Sequence, residues 1–71
     1  MALDIRVRFG RAIRRIREEQ GITQEEAADR CKLHRTYYSG IERGVRNVSL
    51  LNIDKVSKGL KHSLSDLFKR L

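Results

Sequence analysis

The chain has 71 residues, of which 39% are hydrophobic and 35% charged, enough apolar surface for one small core over residues 1–71 and too little for a second. Sixteen Lys and Arg against nine Asp and Glu give a formal charge of +7, which points to a polyanionic partner, nucleic acid first, or else only to solubility. No apolar run exceeds three residues, whereas a bilayer span takes about 20 and a signal-peptide core about 7 to 15, so neither a membrane partner nor export is expected.

Proline is absent and the apolar residues recur at helical spacing, so the expected fold class is all-α. Phe9, Ala12, Ile13 and Ile16 share one stripe of a first helix that begins between Ile5 and Arg8. It ends before Gly21, a residue suited to a left-handed terminator. Its arginines, Arg6, Arg8, Arg11, Arg14, Arg15 and Arg17, fall on several sides and read mostly as solvated. Thr23 and Glu26 form a capping box, so a second helix runs from about Gln24 to Cys31. Only Lys32 and Leu33 separate it from a third, about His34 to Arg43, which Gly44 stops. Ser49 caps a fourth helix through Leu60, with Leu50, Ile53, Val56 and Leu60 on one side, Leu51 opposite, and Gly59 as punctuation near its end. Ser63 with Asp66 caps a last helix whose apolar stripe is Leu64, Leu67, Phe68 and Leu71.

Two short helices joined by so tight a turn are the signature of a helix-turn-helix, whose second helix enters the DNA major groove. On the third helix Tyr38 and Ile41 face inward and Leu33 and Tyr37 lie at the edge, while Arg35, Thr36, Ser39 and Arg43 point outward. Arginine presents paired donors to guanine, threonine a hydroxyl and a methyl suited to thymine, and serine an adaptable hydroxyl. A solvated polar face is the plainer account of the same pattern. Three neighbours favour DNA. Gln24 opens the second helix, where free N–H groups suit a phosphate. The loop Arg43, Gly44, Val45, Arg46 and Asn47 is basic and able to grip a strand. Gly40 removes a side chain from the third helix, either for close approach or for packing. His34 either touches DNA or caps the helix.

The run ITQEEAADRCKLHRTYYSGIERG, from Ile22 to Gly44, resembles the core motif of the lambda repressor/Cro-type helix-turn-helix family, whose five-helix domains match almost the whole chain. The stretch LHRTYYSGIERGVRNVSLLN, from Leu33 to Asn52, is similar to the controller proteins of restriction-modification systems, small homodimeric transcription regulators. The resemblance implies a compact five-helix lambda-repressor-like DNA-binding domain with the helix-turn-helix at helices 2 and 3. It further implies that Gln24 contacts phosphate, that Arg35, Thr36 and Ser39 approach base edges, and that Arg43, Arg46 and Asn47 hold the backbone. Tyr37 adds a contact at the groove edge. Glu42 is expected to form a structural ion pair with a first-helix arginine, Arg14 in preference to Arg17. Two positions depart from the family pattern. Lys32 stands where the turn often has glycine, and Tyr38 replaces a smaller aliphatic residue, its hydroxyl expected to find a partner at the core edge.

A domain this small buries about 60% of its unfolded surface, so pairing would stabilise it. Two reading helices related by a two-fold axis would read half-sites about 34 Å apart in a palindromic operator. Leu51, Val48 and part of the Leu67, Phe68 and Leu71 stripe form the expected homodimer patch. The single cysteine, Cys31, allows no internal disulfide and fits a packing position in a reducing cytosol, and with only His34 and His62 beside it no metal site follows. No nucleophile-and-base set, carboxylate pair or phosphate-binding glycine loop can be assembled, so no enzyme activity, cofactor or small-molecule ligand is expected. The composite is a cytoplasmic, dimeric, sequence-specific DNA-binding transcription regulator, with double-stranded DNA as its partner and RNA polymerase as a further one. The alternative is an antitoxin-like or adaptor protein-interaction module of the same fold. A basic RNA binder would need an exposed aromatic platform that this sequence lacks.

Overall fold

The computed structural model describes residues 3–71; Met1 and Ala2, the first residues of the expected domain, lie outside them. Five helices follow one another: α1 Ile5–Glu19, α2 Gln24–Cys31, α3 Arg35–Glu42, α4 Leu50–Leu60 and α5 Leu64–Lys69. No strand occurs among the described residues. Each helix begins where a side chain accepts a hydrogen bond from an otherwise free N–H of the first turn. Asp4 accepts from Arg6, Thr23 from Glu26, Ser49 from Asn52 and Ser63 from Asp66. The Thr23 box is reciprocal, with the Glu26 carboxylate accepting from the Thr23 N–H at 3.0 Å. His34 caps α3, its Nδ1 accepting from the Thr36 N–H at 3.2 Å.

Gly21 and Gly44 follow α1 and α3 at φ of 69° and 76°, the left-handed region that lets a helix stop with its last carbonyls satisfied. Lys32 and Lys61 adopt the same conformation with a side chain in place, at a cost of about 1 to 2 kcal/mol each. The turn between α2 and α3 thus keeps the left-handed geometry of a glycine turn with lysine in it.

Helix α1 lies against α3 and α5, α2 against α3 and α4, and α4 against α5. One core results, filled by Phe9, Ile13 and Ile16 of α1, Ala27, Ala28 and Cys31 of α2, Tyr38 and Ile41 of α3, Val56 and Leu60 of α4, and Leu67 of α5. Two glycines let backbones meet. A Cβ on Gly10 would strike the carbonyl oxygens of Ile41 and Glu42, and one on Gly59 would sit 2.5 Å from the Cys31 Sγ. Gly59 therefore lies inside α4 and seats it on α2, rather than punctuating the chain as its type suggests. Burial pushes the Cys31 thiol up to about 11, leaving it protonated and inert.

Three side chains depart from their expected places. Leu50 is 78% exposed, because it occupies the first residue of α4, about 85° round the helix from the stripe of Ile53, Val56 and Leu60. Leu67, expected in a surface patch, is fully enclosed in the core, whereas Phe68 beside it is 46% exposed. Tyr38 is fully buried rather than at the core edge, and its hydroxyl lies beside the Glu42 carboxylate without a well-formed hydrogen bond. That burial, with the Glu42 carboxylate adding to it, raises the phenol far above its ordinary value, so the group stays neutral.

Candidate nucleic-acid interface

Helix α3 is anchored from behind. Tyr38 and Ile41 enter the core, and Glu42 at its C-terminal end is buried against α1. There the Arg17 guanidinium donates through Nε at 2.7 Å and Nη2 at 3.1 Å to the two carboxylate oxygens, and its Nη1 donates to the Ile22 carbonyl at 2.9 Å. The expected pairing of Glu42 with Arg14 is corrected: Arg14 turns outward and meets Glu18 at 3.3 Å, one turn along its own helix. Arg17 takes the place because it lies on the side of α1 that Gly10 brings against α3. Burial alone would raise the Glu42 carboxyl, but the bonds from Arg17 and Gln24 outweigh it and hold the group below its usual range.

With its inner side fixed, α3 turns Arg35, Thr36 and Ser39 outward. Arg35 and Thr36 are exposed and Ser39 is half-buried. These three, with Gln24, His34 and Arg43, line one open concavity of about 500 Å³, so two helices and the following loop contribute to a single polar surface. Arg35 reaches Glu25 only at 3.8 Å, with both side chains about two-thirds exposed, a contact worth at most about 1 kcal/mol and easily exchanged for another acceptor. Gln24 is half-buried and already engaged, its Nε2 donating to the Glu42 Oε1 at 2.9 Å. Its backbone N–H lies in the first turn of α2, where the Thr23 cap already takes the Glu26 N–H and where Glu25 and Glu26 offset the positive end of the helix.

The loop after α3 forms the flank. The Arg46 guanidinium lies over the Tyr37 ring, 5.4 Å from its centroid, and the Tyr37 hydroxyl accepts from the Asn52 Nδ2 at 3.1 Å. Arg46 also crosses Gly40, where a Cβ would meet its Cγ at 2.9 Å; the missing side chain in α3 thus makes room for the arginine. Arg43, Arg46 and Asn47 are exposed. Arg46 and Asn47 also border a second, narrower groove of about 90 Å³ with Phe9, Val48, Ile53 and Phe68, which joins the basic loop to the apolar surface.

Of the residues expected in a homodimer patch, Leu51 and Phe68 are exposed and Val48 and Leu71 half-buried, while Leu67 is excluded by its place in the core. Leu50 and Leu64 add exposed apolar area on the same two helices that helical spacing assigns to the inner face. Asn52 also goes unnoticed in the sequence, since its partner Tyr37 lies on another helix.

Residues 13–67 match the model of a helix-turn-helix family. The chain is 52% identical to control protein C.BamHI of Bacillus amyloliquefaciens, over 94% of this chain and 84% of that one. It superposes on the restriction-modification controller protein C.AhdI from Aeromonas hydrophila with a TM-score of 0.86 and 42% identity, covering 90% of this chain and 97% of the other. The controller protein C.Esp1396I, as a tetramer in complex with its natural 35 base-pair operator, gives 0.88 at 37% identity over 96% and 90%.

Proposed function

The chain belongs to the helix-turn-helix family, in its group of control proteins, and on that footing we propose how it acts as a sequence-specific, homodimeric DNA-binding transcription regulator of a restriction-modification system. The whole chain works as one module in the cytoplasm, by recognition rather than catalysis. The observation that carries this is the placement of exposed Arg35 and Thr36 and half-buried Ser39 on one side of a helix whose other side is locked by Tyr38, Ile41 and the Arg17–Glu42 pair. A reading helix held that firmly presents its donors at small entropic cost.

In the proposed complex α3 lies in the major groove, with Arg35 paired to a guanine and Thr36 and Ser39 on neighbouring base edges. Arg43, Arg46 and Asn47 contact phosphates beside it, joined by the backbone N–H groups around Gln24. Tyr37 acts chiefly by supporting Arg46. A second copy joined through Leu51, Phe68 and the flanking apolar residues of α4 and α5 supplies the other half-site. The assembly of C.Esp1396I as a tetramer on its operator supports oligomeric binding, and RNA polymerase is the partner such a bound regulator would influence.

Selection of bound duplexes from a random pool, run beside equilibrium sedimentation, tests the proposal. A two-fold symmetric consensus bound by a self-dimer is expected. A monomer, or a pool that stays random after selection, would contradict it.

A further inference from the structure

The arginines of α1 do not scatter evenly once the helix is built. Arg8, Arg11 and Arg15 fall within about 60° of one another, roughly 140° round the helix from Gly10 and Arg17, at 100° per residue. Since Gly10 and Arg17 meet α3, this stripe faces away from the reading helix. With Arg70 it lines a cleft of about 350 Å³ whose walls include Leu3, Ala12 and Leu71.

The positive charge of this cleft is largely uncompensated. Arg11 and Arg15 make no ion pair among the described residues. Arg70 is paired, donating to the two Glu19 carboxylate oxygens at 3.2 and 3.4 Å. The Arg8 Nε is buried without a hydrogen-bond partner, although its Nη1 donates to the Leu71 carbonyl at 3.5 Å. Guanidiniums gathered round a concavity repel one another, and a buried N–H without an acceptor is a standing cost. An oxyanion entering the cleft relieves the repulsion.

The walls decide what carries that oxyanion. A duplex presents its phosphates outermost and its thymine methyls recessed in the groove, so it covers the apolar wall of Leu3, Ala12 and Leu71 poorly. A peptide in which carboxylates flank an aliphatic side chain satisfies the guanidinium forks and the apolar wall together. We propose that the cleft of Arg8, Arg11, Arg15 and Arg70 is a docking site for an acidic protein segment with an apolar anchor. The site shares no residue with the concavity of the DNA-reading surface and only Leu71 with the homodimer patch.

A fluorescein-labelled synthetic peptide of Glu-Glu-Leu repeats, titrated by anisotropy against the full chain with and without a saturating duplex, tests this. The peptide should bind in both states, and replacing Glu by Gln or Leu by Ser in it should weaken binding. In the double variant Arg11→Ala, Arg15→Ala, both positions being exposed, peptide affinity should fall about ten-fold, with the thermal melt, the duplex affinity and the self-association unchanged. Absence of peptide binding, equal binding of the Gln or Ser peptide, or full affinity in the double variant would overturn the proposal. A loss of duplex affinity in that variant would assign the cleft to DNA, and altered sedimentation would assign it to the dimer; either outcome also overturns it.

Discussion

The Arg17 guanidinium clasps both carboxylate oxygens of Glu42, joining the C-terminal half of α1 to the last turn of α3. Only about 2% of the Glu42 side chain reaches solvent, against 13% for Arg17, so removing the arginine strands a buried charge. Arg17→Ala should cost about 3 kcal/mol, whereas Arg14→Ala, which loses an exposed contact, should stay within about 0.5 kcal/mol. Urea denaturation of the two variants checks this; equal effects would contradict the pairing.

The same carboxylate sets an acid limit. A folded-state carboxyl held below its unfolded value near 4.5 contributes stability that is complete above that pH and is lost as the pH falls through the lower folded value. Asp4 and Glu26, drawn down chiefly by hydrogen bonds from Arg6 and from the Thr23 backbone, act in the same direction. The carboxylate contribution to stability should therefore be flat from neutral pH to about 5 and decline below. In Glu42→Gln the decline should be shallower, as read by urea midpoints across the acid range.

Tyr38 buries a hydroxyl that lies beside the Glu42 carboxylate without a well-formed hydrogen bond. Replacing it with Phe keeps the ring and removes the unpaired group, so Tyr38→Phe should stabilise the fold by about 1 kcal/mol with an unchanged denaturant slope. A loss of stability would mean that the hydroxyl is bonded in solution.

Gly40, Tyr37 and Asn52 together hold Arg46 in place. A methyl at Gly40 meets a flexible side chain rather than backbone, so Gly40→Ala should fold as well as the parent or gain up to about 1 kcal/mol from helix propensity. The displaced Arg46 should then weaken binding of all duplexes alike. Asn52→Ala, which frees the Tyr37 hydroxyl, should act in the same direction and less strongly. Duplex affinities measured against several sequences check both; a changed base preference would contradict them.

What the sequence reveals tracks how local the physics is. Helix starts at Gln24, Leu50 and Leu64 are legible because Thr23, Ser49 and Ser63 cap within their own turn. The outward face of α3 is legible for the same reason, since 3.6-residue periodicity fixes Arg35, Thr36 and Ser39 opposite Ile41. The partner of Glu42 is not: Arg14 and Arg17 lie one turn apart and about 60° round the helix, a difference periodicity does not resolve. Gly10 is the overlooked signal, about 20° from Arg17 and marking the line where α1 touches α3. Leu50 and Leu67 mislead because in short helices one apolar stripe is divided between core and surface by neighbours far along the chain. The Tyr37, Arg46 and Asn52 contact joins three separate segments and leaves no periodic trace.

Sequence-specific binding by α3 turns on Arg35 reading a base. In parallel duplex selections, Arg35→Ala should bind the preferred site about 1 to 3 kcal/mol more weakly and lose preference at one position of each half-site. Arg46→Ala should keep the parental consensus and lower the salt slope by about one. If Arg35→Ala selects the parental consensus with undiminished preference at every position, α3 does not read DNA through the face assigned here.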